Sequence, residues 1–269
     1  MTKPLNIAIA GIAGRMGRQL VSTSLAKAHT VTGGTERTGS PHLGADIGTL
    51  AGLAPLQLTP GTSPAEAAAQ ADAWIDFTVP AATLAALEAL KDTPVQSIII
   101  GTTGFSAEEE KALAAHAARY AIVKAGNFSL GIALLTRLTA LAAEKLGADW
   151  DLEIMETHHK HKVDAPSGTA LMLGQAAADG RGGQLEDMRE GPYDGPNAKR
   201  TPGKIGFSVR RSGSVIGEHD VTLTSDNEQL TLAHKALDRR VFADGAIKAA
   251  EWATAQSPGL YSIHDVLEL

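Results

Sequence analysis

Short apolar runs alternate with longer segments of helical periodicity through the first half of the chain. Leu5 to Ala10 is apolar except for Asn6 and stops at Gly11, the pattern of a buried parallel strand. A helical pattern runs from Met16 through Ala26, and Val31 to Thr35 predicts a second short strand. Trp74 to Val79 predicts a strand stopped by Pro80, Ala81 to Lys91 a helix, and Val95 to Ile100 a β-branched strand. Ser106-Ala107-Glu108-Glu109 has the form of a capping box that opens a helix to about Ala118, and Tyr120 to Lys124 predicts another strand. Repeated strand–helix units of this kind imply an α/β fold with a doubly wound parallel sheet, helices on both faces.

The period changes after a helix predicted over Ser129 to Leu146. Asp151 to His158 predicts a strand with Leu152, Ile154 and Glu156 on one face, and Ser167 to Ala178 a helix. Residues 180–203 are rich in Gly, Pro, Asp and Arg and are expected to form a long surface loop. Three β-rich segments follow, Ile205 to Arg211, Val215 to Thr224 and Gln229 to Ala233, joined by Ser212-Gly213-Ser214 and Ser225-Asp226-Asn227. Short turns between strands predict a mixed, largely antiparallel sheet. Asp238 to Ala255 is helical again. The expectation is a first domain over 1–126, with 239–269 packing back on it, and an α+β domain over 127–238.

Composition narrows the function. A net charge of -6 argues against a general nucleic-acid binder, which carries a basic excess. With no cysteine, disulfides, thiolate catalysis and zinc–thiolate sites are excluded, and a reducing cytoplasm is the expected location. Met1-Thr2-Lys3-Pro4-Leu5 leads straight into a strand and lacks the pattern of a secretion signal. No apolar stretch is long enough to span a bilayer, so no membrane partner is expected.

Two segments carry the chemistry. Gly11-Ile12-Ala13-Gly14-Arg15-Met16-Gly17 joins the first strand to the first helix, and Glu36 closes the second strand. Strand, glycine loop, helix, strand and acidic residue form the dinucleotide-binding fingerprint of a Rossmann-like domain. The spacing here is G-x-x-G-x-x-G, and a plain strand-to-helix turn without a ligand is the competing reading. Glu36 stands where a carboxylate accepts hydrogen bonds from ribose hydroxyls. Arg37 is either a solvated cation or a grip for a 2′-phosphate, so NADH and NADPH both stay open. The loops Gly101-Thr102-Thr103-Gly104 and Ala125-Gly126-Asn127-Phe128-Ser129 end later strands and are expected to wall the nicotinamide end.

The second segment is Glu156-Thr157-His158-His159-Lys160-His161-Lys162-Val163-Asp164-Ala165-Pro166-Ser167-Gly168-Thr169. This cationic patch beside a helix start suits an anionic small molecule, and histidine suits proton transfer near neutral pH. His158 is the expected proton donor and Lys162 a docking cation. Ser167, Gly168 and Thr169 either clamp a carboxylate or, in the case of Ser167, merely cap the helix. A metal at His158, His159 and His161 would be opposed by the lysines beside them.

Together with Gly217-Glu218-His219 and His234-Lys235-Ala236, these motifs resemble, nearly end to end, the bacterial dihydrodipicolinate reductase family. The resemblance implies NADH- or NADPH-dependent reduction of a cyclic hydroxy-imine dicarboxylate, with loss of water, to tetrahydrodipicolinate in the diaminopimelate route to lysine. It implies His158 as proton donor, Lys162 as a second donor that pairs with substrate, and His159, Ser167, Gly168 and Thr169 as dicarboxylate ligands. It further implies nucleotide contacts from Gly11, Ile12, Ala13, Gly14, Arg15, Met16, Glu36, Arg37, Gly101, Thr102, Thr103, Ala125, Gly126, Asn127 and Phe128. A homotetramer built through the second domain's sheet is the implied assembly. Another nicotinamide reductase of small anionic imines and a redox-sensing binding protein are the competing functions; a sensor would not need His158 and Lys162 beside an anion-holding turn.

Overall fold

In the computed structural model, which describes residues 3–269, the described chain divides into two compact units, one of residues 3–129 with 240–269 and one of residues 130–239. In the first unit β1 (Asn6–Ala10), α1 (Arg15–Ala26) and β2 (Thr30–Thr35) lead to two one-turn helices, α2 (Ile47–Leu50) and α3 (Pro64–Ala67). Then come β3 (Ala73–Asp76), α4 (Pro80–Ala89), β4 (Ser97–Ile100), α5 (Ala107–Ala115) and β5 (Ala121–Lys124). The second unit holds α6 (Leu130–Leu146), β6 (Asp151–His158), α7 (Gly168–Gly180), α8 (Leu185–Met188), β7 (Ile205–Arg211), β8 (Glu218–Thr224) and β9 (Gln229–Lys235). The chain then returns to the first unit with α9 (Arg240–Ala253), β10 (Gly259–Tyr261) and α10 (Ile263–Val266).

Among the described residues the first unit's sheet has six strands in the order β10-β5-β4-β3-β1-β2, every pair parallel. Its inner strands are apolar on both faces, with Ile7, Ile9, Ile75, Ile98, Ile99 and Ile122 all fully buried, which is why they read as continuous apolar runs. The capping box at Ser106 is complete: its hydroxyl accepts from Glu109 N–H at 3.3 Å, and Glu109 Oε2 accepts from Ser106 N–H at 2.8 Å. Residues 240–269 supply structure to this unit. His29 accepts from Leu5 N–H at 3.1 Å and meets Glu251 on α9 at 3.0 Å, while β10 extends the sheet beyond β5.

The second unit's sheet is mixed, in the order β7-β6-β8-β9. It is the mixed sheet expected, but its neighbours do not follow the order of the chain. β7 and β8 are consecutive in sequence but not neighbours, because β6 lies between them, parallel to β7 and antiparallel to β8. Turn residues at Ser212 to Ser214 report that the chain bends and not which strand lies alongside. Val215 is part of that turn, its N–H bonded to Ser212 O at 3.2 Å, so β8 begins only at Glu218. Helices α6 and α7 cover one face of this sheet, against Leu152, Ile154, Ile205, Val221 and Leu223. The stretch 180–203, expected to be loop, includes the one-turn helix α8 and is pinned by Arg200, which donates to Glu153 Oε2 at 2.9 Å and to Leu152 O at 2.6 Å.

Candidate active site

In the first unit the glycine loop is built for close approach. Gly11 has φ +60, a left-handed turn that glycine adopts without steric cost. A Cβ at Gly17 would lie 2.4 Å from Gly11 O, so helix α1 can start against the loop only with glycine there. Gly14 is the N-cap and offers no side chain, which leaves the first-turn N–H groups of α1 without a side-chain cap. Arg18 steadies the loop by donating to Ala13 O at 2.7 Å. Glu36 accepts the Ala13 N–H at 2.9 Å, so its carboxylate is tied to the loop as well as standing at the end of β2.

Gly11, Glu36 and Arg37 line one cavity of 470 Å³, together with Trp74, Asp76 and Thr78. Other predicted nucleotide residues divide by exposure. Gly14, Arg15, Thr103 and Gly126 are exposed, and Met16, Gly101, Ala125 and Asn127 are half-buried. Ile12 and Phe128 have buried side chains and can offer only backbone. Thr102 is buried too, its hydroxyl accepting from Thr78 N–H at 3.0 Å and from the Thr83 hydroxyl at 2.9 Å. That hydroxyl belongs to a polar knot around Asp76, whose carboxyl is pushed upward by burial against the pull of hydrogen bonds from Thr78, Thr83 and Thr102. This arrangement fits a dinucleotide: an uncapped helix start for the pyrophosphate, a carboxylate and a guanidinium at the end of β2 for the ribose, and a cavity beside them.

The second unit places the cationic segment at the carboxyl end of β6. On the helix-covered face the sheet changes character along its length. Leu152 and Ile154 give way to Glu156 and His158 on β6, Ile205 and Phe207 to Arg211 on β7, and Leu223 and Val221 to His219 on β8. Glu156 is 1% exposed and His158 8%. His158 Nδ1 lies 2.5 Å from Glu156 Oε2, and Arg211 grips both Glu156 oxygens at 2.9 and 3.1 Å. Burial alone would raise the Glu156 carboxyl; hydrogen bonds from Arg211 and His158 outweigh it and hold the group below the ordinary value. His219 packs edge-on against His158 with ring centroids 5.1 Å apart. Burial first, then the His158 charge, pushes His219 down to about 4, so it is neutral near pH 7.

Ser167 is the N-cap of α7. Its hydroxyl accepts from Ala170 N–H at 3.1 Å and meets His219 Nε2 at 3.1 Å, so here it is bonded to α7 and β8. Gly168 is exposed and Thr169 half-buried at the same helix start. Lys162 Nζ bonds Asp164 Oδ1 at 2.8 Å, and this bond leads the causes that hold the Asp164 carboxyl below its usual range, with Gly168 N–H contributing. His159 is half-buried; desolvation, then Arg239 and neighbouring cations, lowers it. Lys160 and His161 are exposed. Glu156, Arg211 and His219 have no role assigned by the sequence motifs. The signal for Glu156 was its parity with Leu152 and Ile154, which put a carboxylate on a core face.

The model of the N-terminal part of dihydrodipicolinate reductase matches residues 5–128, and that of the C-terminal part matches residues 131–267. The chain belongs to the dihydrodipicolinate reductase family. Relatives named 4-hydroxy-tetrahydrodipicolinate reductase include one from Parvibaculum lavamentivorans, 49% identical over 269 residues and covering 99% of each chain. A second, from Dinoroseobacter shibae, is 49% identical over 264 residues, 98% of each chain. Among solved structures, a dipicolinate-bound dihydrodipicolinate reductase from Paenisporosarcina sp. TG-14 superposes with a TM-score of 0.75. It covers 97% of this chain and 98% of its own at 22% identity, a likeness of fold. Family and fold together imply an oxidoreductase that uses a nicotinamide nucleotide. Among the described residues no helix is long and apolar enough to cross a membrane.

Proposed function

We propose that this protein is a 4-hydroxy-tetrahydrodipicolinate reductase, reducing a cyclic hydroxy-imine dicarboxylate, with loss of water, to tetrahydrodipicolinate in the diaminopimelate route to lysine. The observation that carries the reading is the second unit's turn, where a buried histidine, a lysine and the start of a helix stand together. Nicotinamide, as NADH or NADPH, supplies the hydride. Gly11 to Met16 hold the pyrophosphate through backbone N–H groups, Glu36 and Arg37 hold the adenosine ribose, and the loops at Gly101–Thr103 and Ala125–Phe128 wall the nicotinamide.

Loss of water leaves a conjugated ring, and hydride addition to it leaves an electron-rich carbon that needs a proton. His158 gives that proton from Nε2. Lys162 and the helix start at Gly168 and Thr169 dock the substrate's carboxylates, with His159 beside them. The Asp164 carboxylate, held by Lys162 and the Gly168 N–H, already displays the kind of group this turn binds, and a substrate carboxylate takes its place. Lys162 is then both charge partner and second donor. The enzyme works in the cytoplasm as a homotetramer assembled through the second unit's sheet.

A coupled assay tests the reading. Substrate made in situ from pyruvate and aspartate semialdehyde is offered with each reduced nucleotide, and absorbance of the nucleotide is followed. Oxidation is expected, and none with either nucleotide would sink the assignment. His158→Gln should lower kcat by ~10²-fold, about 2.7 kcal/mol, at unchanged nucleotide affinity. A near-native kcat would remove His158 from the donor's role.

A further inference from the structure

We propose that Glu156, clamped by Arg211, is a positioning residue that fixes which ring nitrogen of His158 transfers the proton and sets that nitrogen against the anion-holding turn. The inference rests on the proposed role of His158 and adds the group that prepares it.

Four donors converge on the Glu156 carboxylate. Oε2 faces His158 Nδ1 at 2.5 Å and Arg211 Nη1 at 2.9 Å, while Oε1 accepts Arg211 Nη2 at 3.1 Å and the Ser167 N–H at 3.0 Å. An ionised carboxylate only accepts hydrogen bonds, and the guanidinium fork keeps it ionised. The hydrogen between Glu156 and His158 therefore sits on Nδ1. In the neutral ring the lone pair is on Nε2, and in the imidazolium the proton free to leave is the one on Nε2. That nitrogen faces Gly217, where an added Cβ would stand 3.1 Å from it, so glycine leaves open the space beside Nε2 that a side chain would crowd.

The same carboxylate does a second thing. Oε1 holds the N–H of Ser167, the residue that caps α7, and Oε2 holds the imidazole. One buried group thus sets the proton donor in register with the helix start that docks the substrate. Arg211 reinforces this by donating to Asp164 O at 2.6 Å, which steadies the chain between Lys162 and Ser167. Around His158 stand Glu156 on its own strand, bonded to Nδ1, His219 from β8, edge-on to its ring, Arg211 from β7, bonded to the same Glu156 oxygen, and His159 and Lys162 from the segment that follows, which act on His219 or on each other. Glu156 is the anion bonded to the ring, so its loss takes away charge that favours the imidazolium.

Ring 15N spectra of histidine-labelled native enzyme, with His158 assigned by loss of its signals in His158→Gln, test the tautomer directly. The neutral ring is expected to carry its proton on Nδ1; a neutral ring protonated on Nε2 overturns the proposal without any variant of Glu156. In Glu156→Gln the amide no longer forces that tautomer. Its kcat should fall by roughly 10²-fold, nucleotide affinity should stay within about twofold, and the alkaline limb of the kcat–pH profile should move to lower pH. Glu156→Asp should recover part of the loss. A Glu156→Gln enzyme with native kcat and an unmoved limb also overturns it. The tautomer is read without turnover, so failure here is distinct from failure of His158 as donor, which native kcat in His158→Gln would report.

Discussion

Glu36 and Arg37 show how far a residue's identity goes. Both line the same cavity, yet Glu36 spends one oxygen on the Ala13 N–H, which turns it partly from a ligand group into a brace for the glycine loop. Arg37 is exposed and free to turn toward a 2′-phosphate. Arg37→Ala should therefore weaken NADPH roughly tenfold while leaving NADH within about twofold, measured as dissociation constants for each nucleotide. Equal losses would show that Arg37 does not touch the phosphate. Thr102 and Ser167 teach the opposite lesson. Their motifs were legible, but their hydroxyls turn into the protein, one to the Asp76 knot and one to α7, and no feature of sequence reports that direction.

At the scale of elements, period and stop signals carried most of the reading. β6 and β7 run over the residues their alternation predicts, since each has one face against helices and one without that cover. The pairing of β7 with β6 was not legible, because a turn constrains its own residues and leaves partners to long-range contact. That pairing brings Arg211 beside Glu156, and the β6–β8 register sets His219 opposite Glu156. The β6–β8 register also has a cost at low pH. His219 is held near 4 against an ordinary 6.5, so the unfolded chain takes up its proton first as the pH falls. Its contribution is full above 6.5 and lost between 6.5 and about 4, up to about 3 kcal/mol. Denaturant midpoints taken from pH 7 to 4.5 should fall across that window, and His219→Gln should flatten the fall. An unchanged slope would mean that His219 is not the group responsible.

For the molecule as a whole, the first unit is discontinuous in sequence. Helix α9 buries Ala243, Ala246, Ile247, Ala249, Ala250 and Ala253 there, and β10 closes the sheet against β5. A polypeptide ending at residue 129 leaves that apolar surface and the β5 edge open. It should bind hydrophobic dye and melt without a cooperative transition, whereas a transition at the temperature of the full chain would show that α9 and β10 are dispensable. The sequence by itself determined the alternation of strands and helices, the glycine loop, and the cationic run from His158 to Lys162, because these depend on near neighbours and on side-chain period. Only the tertiary structure decided that β6 lies between β7 and β8, that Arg211 and His219 gather around Glu156 and His158, and that the hydroxyl of Ser167 faces inward. Those outcomes depend on contacts between residues such as Glu156, Arg211 and His219, far apart in the chain and joined only when the strands pair and the core closes.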